Sequence, residues 1–128
     1  MVIGAHAVAV HAQPRATGDL DIWIRPIAAN AERVWAALVA FGAPLHHLTR
    51  DDLVSDDLVF QIGVSPNRID ILTTIAGPSF EDAWPRRSTV ALWGLDVPVI
   101  GREDLIWTKR AAGCPRDLAD PAELEDAG

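Results

Sequence analysis

Two aspartates set two apart in an alternating, β-branched segment constrain this chain more than any other feature. Leu20-Asp21-Ile22-Trp23-Ile24 has the period-2 pattern of a strand and is ended by Pro26. Asp19 and Asp21 therefore project from one face, while Leu20, Ile22 and Ile24 cover the other. Asn30 is placed to cap a helix, and Val34, Trp35, Leu38 and Phe41 recur at helical spacing until Gly42 and Pro44 stop it. The rest of the chain has to fit around a strand-to-helix unit whose strand carries an acidic face.

The remaining segments read as further short strands and helices. Met1-Val2-Ile3 looks like the end of a strand, shorter than the usual ~5–6 residues. Either the natural start lies upstream, or the short strand is tolerated by pairing with another chain, as in a homodimer. Gly4 to Gln13 reads as a helix of small apolar residues opened by glycine and closed by Pro14. Residues 43–57 read as loop with one turn of helix. Leu58 to Val64 and Arg68 to Leu72 form a hairpin about Ser65-Pro66-Asn67. Ser79 to Arg87 is expected as one short helix carrying Phe80 and Trp84. Thr89 to Trp93 turns at Gly94 into Val97-Pro98-Val99-Ile100, an edge hairpin given its proline. Arg102 to Ala112 follows as a helix with Glu103 and Asp104 in its first turn. Asp120-Pro121-Ala122-Glu123 has the cap, first-turn proline and capping-box glutamate of one more. The sum is an α+β domain over residues 1–128, a mixed, partly antiparallel sheet flanked by helices.

Size and charge narrow the function. A chain of 128 residues can bury roughly two-thirds of its unfolded surface around one core. A net charge of −7 argues against a general nucleic-acid coat, which needs excess Lys and Arg to displace counterions, and suits a site that holds cations. One cysteine, Cys114, excludes an internal disulfide and disfavours a cysteine zinc site. No apolar run is long enough for a membrane span and no signal peptide opens the chain, so the expectation is a cytoplasmic domain.

A third carboxylate gives the acidic strand its meaning. Asp70 stands in Arg68-Ile69-Asp70-Ile71-Leu72, whose isoleucines form the opposite face. If this strand lies beside the first, Asp19, Asp21 and Asp70 meet on one side. Three hard oxygen donors suit Mg²⁺ or Mn²⁺, which complete their shells with water and substrate phosphates. Solvated edge charges would give the same Asp-x-Asp spacing, but an ionised group inside an apolar strand is costly unless used.

Taken together, Gly4-Ala5, a short helix and Arg15-Ala16-Thr17-Gly18-Asp19-Leu20-Asp21 resemble the minimal nucleotidyltransferase pattern of the polymerase-β-like superfamily, with Asp70 resembling its third carboxylate. The most similar branch is that of the abortive-infection nucleotidyltransferase toxins. There a lysine helix precedes an arginine and two spaced aspartates, as Lys109, Arg116, Asp117 and Asp120 are arranged here. The resemblance implies a nucleotidyltransferase fold that transfers a nucleoside monophosphate from an NTP to an RNA end, such as tRNA, or to a protein hydroxyl. It also implies two metal ions roughly 3.5–4 Å apart at Asp19, Asp21 and Asp70, with Asp70 helping to deprotonate the nucleophile. Lys109 would point at the triphosphate. Gly4 and the helix start at Ala5 would receive a phosphate on free N–H groups. Arg15 and Thr17 would touch phosphate or base, and Asp117 would support Lys109 or begin a helix. An antitoxin is the partner implied by the toxin branch. Ala5 departs from the family, which has serine or a second glycine there. The lost contact keeps a second class open, a nucleotidyltransferase-fold module that binds a nucleotide or partner without turnover.

Other candidates carry less. His46-His47 has no carboxylate at ligand spacing, and His6 and His11 do not share a helical face. Of the five tryptophans, Trp23 shares the face of Asp19 and Asp21, where a base would stack on it.

Overall fold

A computed structural model of the chain describes residues 1–4, 7, 19–64, 68–92 and 94–112. Six strands form one mixed sheet: β1 (Val2–Ile3), β2 (Leu20–Trp23), β3 (Val59–Ile62), β4 (Ile69–Leu72), β5 (Ser88–Leu92) and β6 (Leu95–Val99). Their order across the sheet is β3-β4-β2-β1-β6-β5. β2 runs parallel to β4, and β1 parallel to β6, while the other neighbours are antiparallel. Among the described residues the continuous helices are α1 (Ala28–Phe41), α2 (Phe80–Ala83) and α3 (Arg102–Ala112), with 3₁₀ turns at Asp51–Val54 and Trp84–Arg86.

The two-residue β1 lies mid-sheet, and both its residues, Val2 and Ile3, are buried. Its ladder to β2 is extended by Met1, whose carbonyl accepts from the Trp23 N–H at 2.8 Å and whose ammonium donates to the Trp23 carbonyl at 2.8 Å. The hairpin β5–β6 closes one side of the sheet at Gly94, which has φ +75° as the turn requires. Pro98 is tolerated in β6 because β1 reaches that strand only at Val99.

Strand alternation divides the apolar residues between two cores. Ile22, Ile24, Ile69 and Ile71 pack with Ala31, Val34, Trp35 and Leu38 of α1, and with Leu53 of the first 3₁₀ turn. On the other face Trp23, Leu72, Val99 and Ile100 pack with Leu105 and Ile106 of α3 and with Ala83 and Phe80 of α2. Asp21 and Asp70 alternate with the isoleucines of the first core, and so belong to the α3 face.

Local boundaries moved where caps or prolines decide them. The helix α1 is preceded by extended Ile27 (φ −122°, ψ 153°), not capped at Asn30. Asn30 lies inside the first turn, and its amide donates back to the Arg25 carbonyl at 3.0 Å. Gly42 ends the helix at φ 86°, as expected. The single helix expected over Ser79–Arg87 is divided into α2 and a 3₁₀ turn containing Pro85, with the Ser79 hydroxyl capping α2 through the Asp82 N–H at 3.2 Å. The Arg102–Ala112 helix has the expected bounds. The expected helix over Gly4–Gln13, apart from Gly4 and Ala7, the turn at 65–67 and the tail helix from Asp120 lie outside the described residues. Among the described residues no helix is long and apolar enough to cross a membrane.

Candidate active site

The site begins with a register. β2 and β4 pair so that Asp21 lies opposite Asp70, and Ile22 opposite Ile71. Burial of the isoleucines under α1 forces both carboxylates onto the other face, beside each other on neighbouring strands. Asp19 sits just before β2, where its Oδ1 accepts from the Arg68 N–H at 3.1 Å. It thereby ties the start of β2 to the start of β4, next to the Leu20 N–H that donates to the Arg68 carbonyl at 2.8 Å.

Gly4 forms one wall. It has φ +71°, and a Cβ there would overlap the Asp21 carboxylate, with Asp21 Cγ only 3.1 Å away. The close approach that the glycine permits is therefore made by the aspartate. A side chain at this position would push Asp21 out of its place, and the backbone conformation itself suits glycine.

Charges of both signs meet here. Burial holds the Asp21 carboxyl above its ordinary range, and the neighbouring charge of Asp70 raises it further. Lys109 and Arg68 pull it the other way, and Asp19 adds a smaller upward push. Lys109 projects from α3 closely enough to be felt at Asp21, half-buried rather than extended into solvent. Asp70 is 8% exposed. Arg68 Nε stands 2.8 Å from its Oδ1, although neither buried atom completes a hydrogen bond among the described residues. An arginine–carboxylate contact at that distance without an aligned N–H is an ion pair held by charge.

α3 is fixed to the loop that follows β4. Trp107 packs its indole on Gly77 (φ +98°), where a Cβ would stand 3.0 Å from the ring, and the Thr108 hydroxyl donates to the Ala76 carbonyl. These contacts bind the helix of Lys109 to the strand of Asp70 through a few intervening residues.

The donor set fits a small hard cation. Asp70 Oδ1 is buried with no hydrogen bond, and burial together with the Asp70 charge holds the Asp21 carboxyl above its ordinary value, so added positive charge favours its ionised form. Two carboxylates are enough for Mg²⁺ or Mn²⁺ when water and phosphate supply the other oxygens. Among the described residues no three His, Cys, Asp or Glu side chains are grouped to hold a metal by themselves.

Of the residues named from sequence, Asp21, Asp70, Gly4 and Lys109 come to one region of the α3 face, while the Asp19 carboxylate is taken by the Arg68 N–H at the start of β4. Ala5, Arg15, Thr17, Arg116, Asp117 and Asp120 lie outside the described residues. Trp23 is corrected: it is 1% exposed, its ring meets Phe80 edge-on at 5.1 Å, and its Nε1–H donates to the Thr73 carbonyl at 3.1 Å. A base has no access to that ring. Arg68, ion-paired with Asp70, is the residue of this region that the sequence pattern did not single out. The signal was present, since a residue two before Asp70 on a strand shares its face. No protein-family model and no curated protein matches this chain.

Proposed function

We propose that the chain is a metal-dependent nucleotidyltransferase of the polymerase-β-like superfamily, transferring a nucleoside monophosphate from an NTP to an RNA or protein hydroxyl. The observation that carries this reading is the Asp21–Asp70 register, two carboxylates side by side on parallel strands, with the charge of Lys109 on α3 felt at Asp21. Asp21 and Asp70, assisted by Asp19, are the residues that hold Mg²⁺ or Mn²⁺. When bound, the ion offsets charge on the triphosphate and acidifies the attacking hydroxyl. Asp70 would accept the proton of that hydroxyl as its oxygen bonds to the α-phosphorus and pyrophosphate departs. Lys109 supplies positive charge to the leaving phosphates, where it does most good in the transition state. The acceptor classes are a tRNA or a protein hydroxyl, and the setting is a cytoplasmic toxin–antitoxin pair. Incubation with each labelled NTP, Mg²⁺ or Mn²⁺ and bulk tRNA tests the reading by label transfer, which Asp21→Asn should abolish.

One observation favours the second reading, a nucleotidyltransferase-fold module that binds without turnover. Arg68 rests on Asp70 and competes for the oxygen a metal needs. Under that reading nucleotide binds to the wild type, and no label is transferred to any acceptor.

A further inference from the structure

The acidic pair is already partly neutralised from within the fold. Arg68 lies two residues before Asp70, so strand alternation gives both side chains the face that carries Asp21. An arginine settled on a carboxylate makes aligned, paired N–H···O bonds. Arg86 does this on buried Asp104, at 3.0 Å from Nε and 2.8 Å from Nη2. Arg68 does not: its Nε approaches Asp70 Oδ1 to 2.8 Å, and both atoms stay without a hydrogen bond among the described residues. The contact supplies charge while leaving Asp70 Oδ1 without a hydrogen bond among the described residues. Its side chain is also 32% exposed, so a path to solvent exists. The Arg68 backbone is held separately, by Asp19 at 3.1 Å and by Leu20 at 2.8 Å. The guanidinium can leave Asp70 without disturbing the strand.

We propose that Arg68 is the internal counter-cation of the Asp21–Asp70 pair, exchanging with a divalent cation at Asp70 and so setting how tightly the site takes up metal. This rests on the reading of Asp21 and Asp70 as cation ligands. While Arg68 is docked, the fold tolerates two adjacent carboxylates with no ion present. A monovalent ion gains nothing by replacing a charge of equal size, whereas a divalent ion brings the surplus that drives the exchange. The arginine therefore acts as a threshold, keeping the site closed to metal until the dication concentration, or a nucleotide that brings the ion with it, is high enough.

The test uses the full chain and Mn²⁺ or Mg²⁺ alone. Arg68→Gln should lower the melting temperature in EDTA, because the carboxylate pair loses its counter-charge. The same variant should bind Mn²⁺ on the order of tenfold more tightly than wild type, since a positive charge beside the ion has been removed. Arg68→Lys keeps the charge and should bind Mn²⁺ near the wild-type affinity. Equal or weaker Mn²⁺ binding by Arg68→Gln overturns the proposal while leaving the metal reading of the site intact. No Mn²⁺ binding by either protein overturns both. Should Arg68→Gln not fold, the wild type gives the answer by nuclear magnetic resonance of its arginine side chains. On Mg²⁺ titration the Arg68 Nε–H signal should shift and exchange faster with water. A signal that stays in place while the Asp21 and Asp70 carboxyl resonances move rules the exchange out.

Discussion

Asp21 and Asp70 share one register position on adjacent parallel strands, although 48 residues of chain separate them. Their proximity raises the Asp21 carboxyl, second only to burial, and makes a neighbouring cation the natural partner of the pair.

Asp21→Asn tests the electrostatics through pH. A carboxyl raised in the folded state is easier to protonate there, so its contribution to stability is complete below the ordinary value of 3.8 and is lost as pH rises through the folded value. In EDTA at neutral pH the variant should be as stable as wild type or slightly more so, with the difference shrinking as pH falls towards that value. Mg²⁺ or Mn²⁺ should raise the wild-type melting temperature more than that of the variant. Thermal denaturation across pH, with and without metal, reads both effects. An unchanged metal response in Asp21→Asn would move the ion elsewhere.

Lys109→Ala separates an enzyme from a binding module. Loss of a group that stabilises charge in the transition state typically costs ~2.7–4 kcal/mol, about a hundredfold or more in rate. Turnover should therefore fall further than nucleotide affinity, seen as a kcat loss that exceeds the change in KM. Lys109→Arg should also lose most activity, because the broader guanidinium presents the charge in a different geometry. Full activity in the alanine variant would return Lys109 to a surface role.

Gly4→Ala should be one of the most damaging small substitutions. It places a left-handed backbone on an alanine, costing about 1–2 kcal/mol, and sets a methyl group where the Asp21 carboxylate lies. Crowding adds roughly 1–3 kcal/mol more. Urea unfolding should register the sum, and any folded fraction should respond weakly to Mn²⁺ because Asp21 has been displaced. A variant with wild-type stability and metal response would contradict the contact.

Trp23→Phe tests whether that indole serves the core alone. It leaves the buried-side Thr73 carbonyl without its indole donor, so the cost should appear in stability, about 1–3 kcal/mol. Nucleotide affinity should be unaffected. A selective loss of nucleotide binding with stability intact would restore Trp23 to the site.

Much of the fold is local in origin and could be read residue by residue. The alternation of Leu20–Trp23 and Ile69–Leu72 assigns Asp21 and Asp70 to the faces opposite their isoleucines, whatever strand lies next door. Helix α3 has the expected bounds, with acidic residues in its first turn and Lys109 and Arg110 in its last. Gly42 and Gly94 stop or turn the chain where a positive φ is needed. Such signals depend only on neighbours within a turn or a strand, and a single sequence contains them.

What alternation could not decide is which strand lies beside β2, and what covers each end of its face. Packing under α1 brings β4 next to β2, and that long-range pairing turns two separate aspartates into one site. The same face changes character over two residues: Asp21 meets Gly4, Arg68 and Lys109, while Trp23 is sealed by Phe80. Residue spacing gave these two side chains one environment, and the arrival of α2 from 57 positions downstream of Trp23 gave them different ones. Arg68 follows the same logic. Its face was determined by its own strand, but its service as a counter-charge arises only where a second carboxylate has been brought within reach by tertiary packing.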